Sequence, residues 1–255
     1  MNRPTLIVVA DDFGLSPEVD AGILDAVQAG AVTTVDMFVN PPCRPDPGAI
    51  EAAGAALGLH LNLTHGAPCS APSDVPSLVD SAGRFPGQRD TLFPRLIAGQ
   101  ARHEWLRQLD RFRELAGHEP RHLSVHKHLH RDDLRLFALA AELAHRCGAS
   151  LRTLTPAMRD ACRACGALTT DHFIGDVRPA PYWTLARLRE KLATLVDGTT
   201  ELMCHPGRGV KPIAHLWYLG ERDVERETFC SPEARTLLAR FRLVPCAPAL
   251  FGRTT

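Results

Sequence analysis

An excess of charge of either sign is the first thing this sequence lacks. Lysine plus arginine number 29 and aspartate plus glutamate number 29, a formal net charge of zero. A balanced surface leaves no electrostatic footprint for nucleic acid or an anionic membrane, so neither is expected as a partner. Long apolar runs are missing too; none approaches the roughly 18–20 residues that a membrane-spanning helix requires. The opening MNRPTLIVVADD meets two carboxylates where a secretory cleavage site would need small residues, so the expectation is a cytoplasmic protein. No internal repeat, charge block or low-complexity tract is visible, and the 255 residues read as one domain, 1–255, long enough for a substantial core.

Eight cysteines are present (Cys43, Cys69, Cys147, Cys162, Cys165, Cys204, Cys230 and Cys246), scattered as reduced thiols in a cytoplasmic chain would be. Cys162 and Cys165 form the only CxxC, and one such pair without a second is a weak zinc signal. Histidine stands out instead: there are 12, several of them clustered.

Apolar, β-branched runs alternate with helical patterns along the chain. TLIVVA (5–10) reads as a buried strand, followed by a helix with Ser16 as N-cap, Pro17 at its first position and Gly30 as its stop. VTTVDMFV (32–39), LGLHLNL (57–63) and HLSVHKHLH (122–130) read as further strands, the last including its exit. ASLRTL, ALTTDHFIG and TELMCH follow, and FRLVPCAPAL is an eighth strand or a closing segment. Helices are expected near 47–56, over 101–117, over DLRLFALAAELAHRCG, and near 155–165, 181–195 and 232–240. The proline- and glycine-rich stretch 66–90 reads as a loop over a site. Repeated β-then-α at this spacing predicts an α/β fold with a parallel sheet covered by helices, and the length suits one barrel.

In such a barrel, reactive groups gather at the carboxyl ends of the strands. Those ends carry Asp11 and Asp12, then His60, then His126, His128 and His130, and later His205. A lone strand-end histidine is more often a plain polar residue than a ligand; four strand ends aimed at one rim are harder to dismiss. One carboxylate and two imidazoles around an open position suit a hydrolytic metal site. Neighbours on a regular strand face opposite ways, so Asp11 and Asp12 can share a site only where the strand breaks, which Gly14 permits. In this reading Asp12 ligates and Asp11 manages a proton. His126 is the ligand from HKHLH. His128 and His130 would share its face of an extended strand, as support for a ligand, as substrate contacts or as surface residues, and Asn62 is a further candidate for such contacts.

The motifs VVADDFGLSPEVDAGI, GLHLNLT, HKHLH and MCHPG, in this order, resemble the YdjC/ChbG family of carbohydrate deacetylases, with hopanoid-associated (HpnK-like) relatives sharing them. The resemblance runs from residue 5 to about 247. It implies a TIM-like (β/α) barrel, often seven-stranded and irregular, of the glycoside hydrolase/deacetylase type. It implies Asp12, His60 and His126 as metal ligands, Asp11 as general base, His205 as the acid for the leaving amine, and Arg152 near the site. One divalent ion is implied: magnesium by the family's habit or zinc by ligand preference, with manganese, cobalt and iron also suited. The implied reaction is hydrolysis of a linear amide C–N bond, removing acetyl from an N-acetylated, chito-oligosaccharide-like sugar. A glycosylated hopanoid or other amide-bearing lipid head group is an alternative substrate, and a non-catalytic metal- or sugar-binding protein is a third reading. Relatives tend to dimerise, so a homodimer is an expectation. The chain departs from the family where relatives read LDSHxHxH: Ser124 stands in place of the aspartate. Tyr182, Trp183, Trp217 and Tyr218 could stack on sugar rings, but loop packing explains them equally well.

Overall fold

Runs rich in valine, isoleucine and leucine, buried beyond their first residue, form the central strands of a parallel sheet. The computed structural model describes residues 3–40, 42 and 44–251; Cys43 lies outside the described residues. The strands are β1 (Thr5–Phe13), β2 (Thr34–Met37), β3 (Ala56–Leu61), β4 (His122–Val125), β5 (Ser150–Leu151), β6 (His172–Ile174), β7 (Thr199–Cys204) and β8 (Arg242–Leu243). Seven of them, all parallel, follow the order β5-β4-β3-β2-β1-β7-β6. The sheet curls until Ser150 bridges Leu168, ahead of β6, and Leu151 N donates to Leu168 O at 2.8 Å. The result is an irregular seven-stranded, TIM-like (β/α) barrel. β8 lies off this path, on the start of β1 beside Thr5 and Leu6.

Local chemistry starts and stops the helices. Ser16, Asp46, Thr155 and Ser231 each cap a helix whose first residue is proline: Pro17–Gln28, Pro47–Ala52, Pro156–Ala164 and Pro232–Leu238. Gly117 and Gly148 close Ala98–Ala116 and Leu134–Cys147 in the left-handed conformation. Trp105, Leu109 and Phe112 bury the first of these against the barrel. Leu185–Ala193 follows β6 in the chain and precedes β7, burying Leu188 and Leu192 in the core. Among the described residues no helix is long and apolar enough to cross a membrane.

Four expectations need correction. β2 covers only Thr34–Met37; beyond it Phe38 N makes one more bond to β1, at Phe13 O (2.8 Å), beside the bulge in that strand. β5 is only two residues long, Ser150–Leu151, and Arg152 directly after it is buried among Asp11 and Glu201. A helix at Glu221–Cys230 was not anticipated; its polar sequence buries Arg222 and Glu225 rather than an apolar stripe. The fourth is in HKHLH: extended backbone ends at Val125, and Lys127 (φ 54°) and His128 (φ 52°) turn left-handed, so His126, His128 and His130 do not share one strand face.

Candidate metal centre

β1 answers how adjacent aspartates serve one site. Four residues of β1, Ala10 to Phe13, run beside three of β2, Val35 to Met37, so a bulge falls on the aspartate pair. Asp12 sits at φ 73° within it, a conformation costing a non-glycine residue about 1–2 kcal/mol. The break therefore comes at Asp12 itself, ahead of Gly14. It turns Asp12 to the same side as Asp11, and both are buried.

Three donor atoms converge there. Asp12 Oδ1 lies 3.3 Å from His60 Nε2 and 3.2 Å from His126 Nδ1, and the two ring nitrogens are 3.3 Å apart. Such a triangle surrounds a point about 1.9 Å from each corner, close to the ~2.0–2.2 Å at which these ligands hold zinc-like ions. Asp12 Oδ1 has no hydrogen bond of good geometry, while Oδ2 is taken by Arg222 Nη2 at 2.5 Å. Phe38 sets its ring edge-on to both imidazoles, with centroids 5.0 Å away. The three atoms are buried, lie within ligand distance of one point and can each present a lone pair, so this donor set fits a divalent metal. Asp11, Asp36 and His60 form a second such grouping that shares His60. Burial holds the His126 imidazole down to about 4, hence neutral. Burial works against charge on His60 too, but Asp11, Asp12 and Asp36 raise its pKa, and an ion bound there takes that proton's place.

Asp11 faces the same space. Arg152 grips it with two parallel bonds, Nη1 to Oδ2 at 2.5 Å and Nη2 to Oδ1 at 2.8 Å. Burial favours its neutral form, yet Arg152, His60 and His205 hold the carboxyl well below the usual range. His205 Nε2 lies 3.9 Å from Asp11 Oδ2, and burial pushes that imidazole down to about 4. His205 is set by Glu225, which accepts its backbone N–H at 2.5 Å and the Tyr218 hydroxyl at 2.5 Å. Burial raises the Glu225 carboxyl to about 7.

The remaining candidates are placed differently. His130 is buried and bonds the Arg152 carbonyl at 3.0 Å, so it supports Arg152 and is not a surface residue. His128 sets its ring edge-on to Phe173 at 6.1 Å and is not one of the three donors. Asn62 does not face the site: its side chain bonds the backbone of Thr64 and His65 and the Asn40 amide, shaping the turn after β3. The 66–90 stretch does reach over the β4 exit, where Lys127 Nζ donates to Gly87 O at 2.6 Å. Cys162 is buried and Cys165 exposed, both free thiols, and neither joins a metal-competent group among the described residues.

Sequence reasoning missed the residues beneath the donors. Arg152 Nε donates to Glu201 at 2.5 Å, Glu201 Oε2 lies 3.3 Å from His122 Nε2, and His122 Nδ1 lies 2.9 Å from Asp36 Oδ2. Asp36 accepts the Ser124 hydroxyl, whose oxygen is 2.6 Å from His60 Nδ1. Burial alone would lower the pKa of His122, but Asp36 and Glu201 raise it to about 10. Gly58 makes room for this chain: a Cβ there would stand 2.0 Å from Asp36 Oδ1 and 2.8 Å from His122 O. A charged residue inside an apolar strand, as Asp36 is in VTTVDMFV, was the one available signal.

By class, then, the chain is a TIM-like (β/α) barrel of the glycoside hydrolase/deacetylase type, with an Asp-His-His cluster at the carboxyl ends of its strands. It belongs to the YdjC-like family, whose profile, described as YdjC-like protein, matches residues 5–240. It is 32% identical to a mouse (Mus musculus) protein named carbohydrate deacetylase, covering 96% of this chain and 94% of that one. A Serratia marcescens protein named chitooligosaccharide deacetylase is 31% identical, covering 92% and 94%. Among solved structures, an Enterococcus faecalis V583 protein named for cellobiose-phosphate cleavage superposes with TM-score 0.82 at 24% identity, covering 97% and 98%. A family 4 carbohydrate esterase from Streptomyces lividans, in complex with acetate, gives 0.53 at 13% identity, covering 98% and 97%. These two likenesses show the fold.

Proposed function

We propose that this chain, acting as one barrel domain, is a metal-dependent hydrolase that removes the acetyl group from an N-acetylated saccharide. The observation that carries the reading is the triangle of Asp12 Oδ1, His60 Nε2 and His126 Nδ1 beside a carboxylate the triangle does not use, Asp11. The names of the two relatives, carbohydrate deacetylase and chitooligosaccharide deacetylase, support the substrate class. The free thiols of Cys162, Cys165, Cys204 and Cys246 support a cytoplasmic setting.

A divalent ion held by Asp12, His60 and His126 supplies Lewis-acid activation of water and of the acetamide oxygen. The chain's own groups do the rest. Arg222 occupies Asp12 Oδ2 and leaves Oδ1 for the ion. Arg152 keeps Asp11 anionic and oriented, so Asp11 can accept the proton of the attacking water. His205 is neutral at rest, so the proton it delivers to the departing nitrogen is one it has first received, and Asp11 at 3.9 Å is the adjacent source. An amine leaves poorly unless protonated, which makes this second transfer a chemical requirement.

The test is acetate release by purified protein from N-acetylated chito-oligosaccharides and from an amide-bearing glycolipid, with and without a chelator and with magnesium or zinc restored. Chelator-sensitive release from the free saccharide is expected. Release from the glycolipid alone would transfer the activity to lipid head groups. Tight metal and sugar binding with no acetate from any substrate would overturn the enzymatic reading in favour of a binding protein.

A further inference from the structure

The Ser124 hydroxyl stands between two groups of opposite need. Asp36 is buried on β2, Ser124 on β4 and His60 on β3, so three adjacent strands build one chain of hydrogen bonds. Asp36 as a carboxylate has only acceptors. Ser124 must therefore donate to it, as the short contact between them requires. With its one hydrogen committed, the Ser124 oxygen can only accept, so His60 Nδ1, 2.6 Å away, must carry the N–H. The lone pair of His60 then lies on Nε2, the atom that faces Asp12 Oδ1 at 3.3 Å. Without Asp36 the hydroxyl could rotate and donate to Nδ1, placing the ring proton on Nε2 and closing that donor to a cation.

Asp36 is itself over-determined. His122 Nδ1 reaches both its oxygens, at 3.0 and 2.9 Å, Arg152 Nη2 lies 3.8 Å from Oδ2, and Gly58 leaves the space it fills. Asp36 is not one of the three donors Asp12 Oδ1, His60 Nε2 and His126 Nδ1. We propose that Asp36, acting through Ser124, is the positioning residue that fixes the tautomer and orientation of His60, so that the carboxylate absent from position 124 on β4 acts from β2, on the other side of β3. This rests on His60 being a metal ligand, as the proposed function holds. Outer carboxylates of this kind typically change metal affinity or activity 10- to 100-fold.

The test is a reciprocal exchange read by zinc affinity and by nitrogen-15 NMR of the His60 ring at a pH where the ring is neutral. Ser124→Ala and Asp36→Ser should each weaken zinc binding by about 10- to 100-fold and mix the ring tautomers. The double variant D36S/S124D should recover most of the loss and return the proton to Nδ1, because the carboxylate then reaches His60 directly in space that Asp36 has vacated. A general loss of stability would not be repaired by that exchange. Single variants that bind zinc like the parent, or an exchange that repairs nothing, would overturn the relay while His60→Ala still abolished binding. If the parent itself bound no ion, the proposed function would fall, and the NMR measurement would still decide the relay: an unchanged ring proton in Asp36→Ser would end it.

Discussion

The outer and inner faces of the barrel sheet are made from the same strands and differ in what holds them. Facing the helices, Leu6, Val8 and Ala10 of β1, Val35 and Met37 of β2, Leu57, Leu59 and Leu61 of β3, and Leu123 and Val125 of β4 join one apolar core. The alternate positions carry Asp11, Asp36, His60, His122, Ser124 and, on β7, Glu201. Both faces are buried, so burial does not distinguish them. The outer face is held by non-directional apolar packing, in which any one side chain shares its load with its neighbours. The inner face is a chain of directional bonds, where each group fixes the next and an unmatched one is costly. Substitutions on the two faces should therefore fail in different currencies: stability outside, chemistry inside.

The sharpest contrast is at the aspartate pair. Asp11→Asn should lower kcat by about 10²- to 10⁴-fold while the ion still binds, as measured by acetate release alongside metal analysis. Asp12→Asn should lose the ion as well. Two variants that keep both metal and turnover would dissolve the assigned roles.

Adjacent residues of β3 compare the faces directly. Leu59→Ala, fully buried on the outer side, should cost about 2–5 kcal/mol in urea unfolding and leave metal affinity nearly unchanged. Gly58→Ala, on the inner side, pushes a methyl group against Asp36, and overpacking of this kind costs about 1–3 kcal/mol. Its distinguishing mark should be a weakened affinity for zinc. Equal metal affinities in the two variants would erase the distinction between faces.

A smaller effect, specific to the inner face, is its dependence on pH. The folded pKa of His122, about 10, lies above its ordinary value of 6.5, so the stability it contributes is fully present below pH 6.5 and is lost as pH rises toward 10. Ion-free parent protein should lose a few kcal/mol more over that window than His122→Gln does, by urea unfolding at successive pH values. Parallel curves for the two would show that His122 is not the buried cation described. Smallest of all, Trp217→Ala, at a side chain 51% exposed, should shift stability by no more than about 0.5 kcal/mol. Any change in KM would then report on substrate contact alone.

Much of the outer face was legible in the sequence. Apolar runs mark β1, β3 and β7, and serine or threonine before proline, with glycine after, marks helix ends, because these signals act over a few residues. The three residues that converge in the candidate metal centre were legible as well, since each stands at a strand end in a recognisable motif. Asp36, His122 and Glu201 were not, although each stands in plain view in its own strand. Their partners are 86 and 79 residues away, and only the parallel register brings them together. Arg222 meets Asp12 across 210 residues from a helix that no apolar stripe announces.

By itself, then, the sequence determined the alternation of strands and helices, their caps, and the residue types at the strand ends, because local propensity and side-chain period decide those. Tertiary structure alone decided the left-handed turn at Asp12, the side to which each histidine of HKHLH points, and the line from Asp36 to His60. Those depend on which strands become neighbours and on where a buried charge finds its partner, and a closed barrel settles both only once every strand is in place.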